Sequence, residues 1–346
     1  MIKVLTIVGA RPQFIKASPV SHALAQANFH EVLIHTGQHF DAMMSDVFFD
    51  ELAIPKPAYN LEVSNLGHGA MTGRMLEKVE AVLLHEKPDC VLIYGDTNST
   101  LAGALAAAKL HIPIAHVEAG LRSFNRHMPE EINRVMSDHV STFLFCPTQT
   151  AVNNLKNEGI TKGVFAVGDV MYDTTLAAIS RAQTRSHILK TLNLTPRTYS
   201  VATIHRAENT DHPKRFEQVL TWLEEQAIKQ PLIMPIHPRT RQRIDARGIA
   251  LKGIHLIDPL GYLDMTQLAH NAHAIFTDSG GLQKEAYFHR VPCVTLRDET
   301  EWVETIDAGW NRLWTTPTYN ARTEITDYGQ GHAATAIATT LMQHIA

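Results

Sequence analysis

The sequence predicts an α/β fold made of two doubly wound parallel-sheet domains in tandem. Short, continuous apolar runs alternate with amphipathic segments along the chain, a pattern typical of parallel strands covered by helices on both faces. The pattern restarts after Gly168, and 346 residues are more than one hydrophobic core usually serves. We therefore expect two domains joined by a hinge near residues 168–172.

The first domain is predicted over residues 1–168 and the second over residues 169–332. Strands of the first domain are expected at 2–8, 31–35, 89–94, 113–117, 142–146 and 164–167, separated by helices such as 70–86 and 98–109. Strands of the second domain are expected at 199–204, 232–236, 254–257, 274–277 and 292–296. The last segment, 333–346, is helical in pattern and is predicted to cross back and brace the first domain.

Composition excludes several classes of protein. Hydrophobic residues make up 45% and charged residues 19%, which is ordinary for a globular enzyme. A net charge of −4 provides no basic field for nucleic acid or a membrane surface, and no apolar run approaches the ~20 residues of a membrane span. The three cysteines are scattered singly, which argues against disulfides and zinc. With no signal-peptide pattern at its start, the sequence predicts a soluble, cytoplasmic protein without a metal.

The first polar cluster, GARPQFIKASPV, directly follows the first strand. Gly9 permits a tight turn, Pro12 suits the first turn of a helix, and Arg11 and Lys16 flank that helix N-terminus. A helix N-terminus with added cations binds anions. The motif is not a GxGxxG, so no dinucleotide site is indicated, and a plain turn with surface charges is the alternative.

Carboxylates form the second cluster. Asp96 follows a strand in YGDTNST, Glu118 ends the next strand, and Glu130 and Glu131 begin a helix after Pro129. An N-cap role is the alternative for Asp96, and the helix dipole explains one of the two later glutamates but not Glu118. Neighbouring carboxylates raise one another's pKa, so some can act as acids and others as bases.

Histidines mark the start of the second domain. His205 and Arg206, in ATIHRAEN, stand at a strand end where ligands of such sheets bind. His237, in PIHPRT, repeats the placement and is the weaker candidate. With 20 histidines in the chain many are incidental, but His205 comes with charged neighbours and is the predicted functional one.

A glycine-rich turn, TDSGGLQKEA, follows a later strand of the second domain. Gly280 and Gly281 let a phosphate approach backbone N–H groups at a helix N-terminus. Glu285, further along that helix, can accept hydrogen bonds from ribose hydroxyls. An ordinary glycine-rich turn is the alternative.

The motifs GARPQFIK, TGQH, YGDTNST, HVEAGLR, MPEEINR, HRAEN and TDSGGLQKEA occur in this order. Together they resemble the non-hydrolysing UDP-N-acetylglucosamine 2-epimerase family, over residues 1 to about 315. The resemblance implies the GT-B architecture, with two Rossmann-like domains and the active site in the cleft between them. It further implies a UDP-sugar substrate, UDP as a partner, no cofactor, a homodimer, and a role in supplying precursors of surface polysaccharides such as O-antigen or capsule.

The resemblance also assigns roles to individual residues. It places acid–base chemistry at Asp96, Glu118 and Glu130, with His205 beside the leaving group. The residues it assigns to substrate binding are Ser279, Gly280 and Gly281 for the UDP phosphates, Arg11 and Lys16 for the diphosphate, Glu285 for ribose, and Leu260 and Met265 for uracil. Glu131 is a further candidate for substrate binding. Arg126 is a candidate on charge alone: it either pairs with a carboxylate of the sugar or points into solvent.

The sequence departs from the best-known members of the family. Gln13 replaces a glutamate, Trp302 replaces an arginine, and the loop SFNRHM is two residues shorter and carries Arg126. The short loop resembles that of epimerases acting on UDP-2,3-diacetamido-2,3-dideoxyglucuronic acid, which are slightly favoured over enzymes acting on UDP-N-acetylglucosamine. A second, regulatory UDP-sugar site at Gln38 and His39 is left open.

Three other functions fit parts of the pattern. A hydrolysing epimerase would release free sugar, a GT-B glycosyltransferase would need only the UDP site, and a nucleotide-binding regulator would show no turnover. The sequence leaves open which carboxylate is the base and which is the acid.

Overall fold

The computed structural model describes residues 1–38, 54–249 and 251–345. These residues form two compact units, Met1–Thr174 with Thr326–Ala346, and Thr175–Ile325. The boundary falls inside one helix, a few residues beyond Gly168. In the described part of the chain, no helix combines the length and the apolar content needed to cross a bilayer.

The first unit is built on a parallel sheet of seven strands in the order β3-β2-β1-β4-β5-β6-β7. Its strands are β1 (Lys3–Val8), β2 (His30–His35), β3 (Tyr59–Asn60), β4 (Cys90–Tyr94), β5 (Ile114–Val117), β6 (Phe143–Cys146) and β7 (Val164–Ala166). Its helices are α1 (Arg11–Gln26), α2 (His68–Glu86), α3 (Asn98–Lys109), α4 (Pro129–Val140), α5 (Gln149–Asn157) and α6 (Val170–Arg185), of which α6 runs on into the second unit.

The second unit repeats this plan with a parallel sheet of six strands in the order β10-β9-β8-β11-β12-β13. Its strands are β8 (Ser200–Thr203), β9 (Leu232–Pro235), β10 (Ile254–Ile257), β11 (Ile275–Thr277), β12 (Cys293–Thr295) and β13 (Asn311–Leu313). Its helices are α7 (Ile188–Thr191), α8 (Ala207–Thr210), α9 (Pro213–Lys229), α10 (Pro238–Asp245), α11 (Tyr262–His270), α12 (Gly280–Phe288) and α13 (Val303–Asp307). Both strand orders are that of the Rossmann fold, which confirms the predicted fold class.

The C-terminal segment belongs to the first unit. The final helix, α14 (Ala333–Ile345), packs against α1. Its first backbone N–H groups, those of Ala333 and Ala334, donate to the buried Asp173 carboxylate of α6 at 3.2 and 2.9 Å. A carboxylate at a helix N-terminus satisfies N–H groups that have no partner within the helix.

Small residues let α3 lie close to the first sheet. Four of its alanines are fully buried, and a Cβ at Gly103 would lie 2.6 Å from Cδ1 of Ile7 in β1. Such close packing leaves little freedom at the start of α3. The turn between β4 and α3, which carries Asp96, is therefore held by the packing of both elements.

Candidate active site

Glu118 directly follows β5 and adopts a left-handed backbone conformation, with a φ of 70°. This conformation is strained for a residue with a side chain. It is held because the backbone N–H groups of Glu118 and Ala119 both donate to the carbonyl oxygen of Phe145, at 3.1 Å each. The Glu118 carboxylate forms an ion pair with the ammonium of Lys16, and the two side chains are only 10% and 13% exposed. The turn thus presents a carboxylate in a fixed position beside a cation.

Gly95 brings the turn after β4 against Glu118. Its φ is +60°, and a Cβ at this position would lie 3.3 Å from Oε2 of Glu118. The next residue, Asp96, forms an ion pair with Arg134 of α4, and its backbone carbonyl accepts a hydrogen bond from Nδ2 of Asn133 at 2.9 Å. Asp96 and Glu118 therefore lie on adjacent turns of the sheet edge.

The N-cap of α3 is Thr97 and not Asp96. The Thr97 hydroxyl accepts a hydrogen bond from the backbone N–H of Thr100 at 3.3 Å. The N-cap interpretation of Asp96, which the sequence left open, is therefore wrong. Its carboxylate is directed instead to Arg134.

The two glutamates that begin α4 lie in different surroundings. Glu131 is 3% exposed and accepts hydrogen bonds from the backbone N–H and hydroxyl of Ser123, from the backbone N–H of Phe124, and from Arg134. Burial opposes ionisation of Glu131, but these donors hold its pKa below its usual range. Glu130 is exposed. The structure thus gives Glu131 contacts that hold the preceding loop, and leaves Glu130 accessible.

The start of α1 contains Arg11 as its first residue, and Lys16 one turn later. The Lys16 ammonium is engaged with Glu118. Gln13 is 1% exposed: its oxygen accepts from the backbone N–H groups of Gly9 and Ala10, and its nitrogen donates to Tyr94 and Thr100. Through these four contacts Gln13 joins β1, β4 and α3. An ionised glutamate has no N–H group and could not donate to the Tyr94 carbonyl.

In the second unit, Ser279 is the N-cap of α12, and its hydroxyl accepts from the backbone N–H of Leu282 at 3.4 Å. A Cβ at Gly280 would lie 2.3 Å from Oε1 of Glu301 and 3.6 Å from a guanidinium nitrogen of Arg206. Gly280 and Gly281 occupy the first turn of the helix, where backbone N–H groups favour anions. The Arg206 guanidinium adds a cation beside this turn, whereas the Glu301 carboxylate adds an opposing negative charge.

Asp278 organises the loop that carries His205. It is fully buried and accepts hydrogen bonds from the backbone N–H groups of His205 and Arg206 and from Nδ2 of Asn209, at 2.9 to 3.1 Å. Its Oδ1 also lies 3.1 Å from Nδ1 of His205, whose side chain is 39% exposed. Burial opposes ionisation, but His205 and these donors hold the pKa of Asp278 below its usual range.

His237 lies beside His205, with ring centroids 5.7 Å apart. Burial, followed by the nearby charges of His205 and Arg239, lowers the pKa of His237. Its Nδ1 accepts from the backbone N–H of Arg239 and caps α10. This local contact explains why a histidine stands there.

The predicted nucleoside residues lie on α12 and around α11. Glu285 is in the second turn of α12 and is half-buried. Leu260 and Met265 are half-buried and pack against a core cluster that includes Ile275 and Leu282. All three are thus in the second unit, as are Ser279 and His205.

The predicted regulatory position is described only in part. Oε1 of Gln38 accepts from the backbone N–H and the hydroxyl of Ser99, at 3.1 and 2.8 Å. His39 lies outside the described residues. Within residues 1–38, 54–249 and 251–345, no group of three His, Cys, Asp or Glu side chains is arranged to hold a metal ion.

Residues 22–342 match the sequence profile of a protein family described as UDP-N-acetylglucosamine 2-epimerase. The chain belongs to this family. It is 56% identical over 318 residues to a UDP-N-acetylglucosamine 2-epimerase homolog of Methanococcus maripaludis, covering 90% of this chain and 88% of the relative. It is 54% identical over 317 residues to the UDP-2,3-diacetamido-2,3-dideoxy-D-glucuronate 2-epimerase of Pseudomonas aeruginosa, with the same coverage.

Solved structures of epimerases give the same result. The Methanocaldococcus jannaschii UDP-GlcNAc 2-epimerase in complex with UDP-GlcNAc and UDP is 42% identical, with a TM-score of 0.87 and coverage of 99% of this chain and 100% of that one. The family resemblance predicted from the motifs is confirmed. The roles of individual residues and the homodimer stay predictions.

Several residues of this epimerase that hold Asp96, or that surround the N-terminus of α12, were not predicted as site residues. Arg134 and Asn133 hold Asp96, and Asp278 and Glu301 surround the anion-binding turn. The pairing of Glu131 with Arg134 could have been read from their i,i+3 spacing in EINR. The others depend on chain segments far apart in sequence, which no local pattern reveals.

Proposed function

We propose that the chain epimerises a UDP-linked 2-acetamido sugar at C2 without a redox cofactor, by eliminating UDP and adding it back. The observation that carries the proposal is the pair of adjacent turns that present Asp96 and Glu118, each beside a cation. Membership of the 2-epimerase family supports the same reaction. The second unit contributes a helix N-terminus suited to the charge of UDP.

The C2 hydrogen of such a sugar is not acidic enough for simple deprotonation. A carboxylate therefore takes the C2 proton while the bond from C1 to the UDP oxygen breaks, and its electrons leave with UDP. The C2–H electrons form a C1–C2 double bond, giving a 2-acetamidoglucal. UDP then adds back to C1 while an acid delivers a proton to the opposite face of C2.

Asp96, Glu118 and Glu130 are the groups we assign to these two proton transfers, which require one base and one acid. His205, Arg206 and the N-terminus of α12 stabilise the negative charge that develops on the departing UDP. Lys16, paired with Glu118, keeps that carboxylate close to a cation. The order in which the carboxylates act is left open.

Turnover in deuterium oxide tests the reaction. With UDP-N-acetylglucosamine and the diacetamido-uronate as separate substrates, we expect the C2 epimer to carry one deuterium at C2, because the added proton comes from solvent. NMR of the product measures this. Protium retained at C2 would rule out the mechanism, free sugar with UDP would indicate a hydrolysing enzyme, and conversion only with an added acceptor would indicate a glycosyltransferase.

We further propose that the preferred sugar is UDP-2,3-diacetamido-2,3-dideoxyglucuronic acid, for O-antigen-type precursors. The P. aeruginosa enzyme named for this sugar is 54% identical, whereas the M. jannaschii enzyme named for UDP-N-acetylglucosamine is 45% identical, and the 56% identical M. maripaludis protein is named only as a homolog of the latter enzyme. Arg126 is exposed on the short loop that Glu131 holds, and a guanidinium can bind a sugar carboxylate bidentately. The buried Gln13 amide donates to the Tyr94 carbonyl and the Thr100 hydroxyl, so Gln13 does not contact the charge of the sugar directly.

Arg126→Ala is expected to lower kcat/KM for the uronate and leave that for UDP-N-acetylglucosamine nearly unchanged, because only the uronate offers the C6 carboxylate. Comparing kcat/KM for both sugars measures the effect. Arg185→Ala, at another exposed arginine, is the matched control. A wild-type preference for UDP-N-acetylglucosamine would contradict the sugar assignment, and an unchanged preference in Arg126→Ala would remove Arg126 from it.

A further inference from the structure

His116 lies in β5, two residues before Glu118, and is fully buried. Its Nε2 is 2.7 Å from the carbonyl oxygen of Gly95, and its Nδ1 is 2.7 Å from Oδ1 of Asp138. A carbonyl and a carboxylate both accept hydrogen bonds, so both ring nitrogens donate. The ring therefore connects α4 to the turn that carries Asp96.

Asp138, in α4, holds the other turn. Its Oδ2 accepts from the backbone N–H of Gly120 at 3.1 Å, two residues after Glu118. Arg122 donates to the same oxygen at 2.7 Å and also binds Glu158. Burial opposes ionisation, but His116 and Arg122 hold the pKa of Asp138 below its usual range.

The charges in this group balance. A ring that donates from both nitrogens is a cation, as is Arg122, and Asp138 and Glu158 are anions. Buried ion pairs of this kind are often no more stabilising than apolar side chains of the same size. Stability alone therefore does not account for the buried pairs of Asp138 with His116 and Arg122; the fourth group, Glu158, is exposed.

The two contacts converge on the turns of the proposed acid and base. One contact fixes Gly95, which precedes Asp96 and lies against Glu118. The other fixes Gly120, which ends the strained turn at Glu118. We propose that His116 and Asp138 form a clamp that positions the Asp96 and Glu118 carboxylates relative to each other. This inference rests on the proposed function for the roles of those carboxylates.

Two substitutions of His116 separate the contacts of the clamp. The side-chain nitrogen of glutamine lies where Nε2 of histidine lies and can still donate to Gly95. That of asparagine lies where Nδ1 lies and can donate only to Asp138. Both remove the charge of the ring. Asp138 keeps its hydrogen bonds from Gly120 and Arg122 in both variants, so the turn at Glu118 stays held, whereas the Gly95 contact is lost only in His116→Asn. A lower kcat in His116→Asn than in His116→Gln therefore reports the loss of the Gly95 contact.

We expect His116→Asn to lower kcat about 10²-fold, the effect of a misplacement of about 1 Å at a reacting group. KM and UDP affinity should stay near wild type, because the proposed UDP site lies in the second unit. His116→Gln should stay much closer to wild type in kcat. Amide hydrogen exchange of residues 93–98 should be faster in His116→Asn than in His116→Gln, at similar melting temperatures.

Equal losses of kcat in the two variants, with equal exchange at residues 93–98, would overturn the clamp, as would wild-type kcat in His116→Asn. If His116→Asn does not fold, His116→Gln decides alone: turnover near wild type supports the clamp and a loss of about 10²-fold overturns it. Wild-type turnover of either UDP-sugar tests the proposed function separately. If wild type epimerises neither, the exchange comparison still tests the clamp.

Discussion

Glu118→Gln is expected to lower kcat by about 10²–10⁴-fold, the usual contribution of a general acid or base. Glutamine keeps the shape of the side chain but neither accepts nor delivers a proton at neutral pH. UDP affinity should remain near wild type, because the proposed UDP site lies in the other unit. Product NMR measures turnover, and calorimetric titration with UDP measures binding.

The matched control is Glu77→Gln, since Glu77 lies on α2 with its side chain 72% exposed and a long contact of 3.8 Å to Arg74. This variant should behave as wild type in both measurements. Turnover within a few-fold of wild type in Glu118→Gln would remove Glu118 from the chemistry. Loss of UDP binding together with turnover would instead indicate that the substitution disturbs the fold.

Asp278→Asn is expected to slow turnover by removing the anionic partner of His205. Asparagine has one acceptor oxygen, which the buried backbone N–H groups of His205 and Arg206 require, so its NH₂ group would face Nδ1 of the ring. A hydrogen bond to a charged group contributes about 1.5–3 kcal/mol, which corresponds to roughly 10- to 100-fold in rate. kcat with saturating UDP-sugar measures the effect.

A double-mutant cycle decides whether Asp278 acts through His205. If it does, the variant carrying both His205→Ala and Asp278→Asn should be no slower than His205→Ala alone, because residues acting as a unit are not additive. Asp211→Asn, at an exposed partner of Arg239 and Arg243 in the same unit, is the control and should leave kcat unchanged. Losses that multiply in the double variant would show two independent roles.

Strands and helices with strong patterns were predictable close to their observed bounds. The expected helix at 98–109 is α3 (Asn98–Lys109), and the expected strand at 89–94 is β4 (Cys90–Tyr94). The strands that were missed, β3 and β13, have two and three residues at the edges of their sheets. Both runs are short and contain polar residues, so no apolar run marks them, and only their pairing with a neighbouring strand defines them.

The candidate site was predictable in its residue types but not in its contacts. Placing polar residues after strands was enough to select Asp96, Glu118, His205 and Ser279, because parallel sheets bind ligands at that edge. The difference in burial between Glu130 and Glu131 could not be predicted from the sequence, since both follow Pro129 in the first turn of a helix. Only the fold shows that one of them is buried by the loop at Ser123.

The sequence by itself determined the class of fold, the family and the strand ends that carry charged groups, because periodicity, glycine-rich turns and ordered motifs are local properties of the chain. The tertiary structure alone decided which charges meet. Lys16 reaches Glu118, Arg134 reaches Asp96, and His116 joins Gly95 to Asp138. Each contact spans a strand crossover or the packing of a helix on the sheet. Buried polar groups must find partners wherever the fold places them, so these pairings follow from three-dimensional packing and not from spacing along the chain.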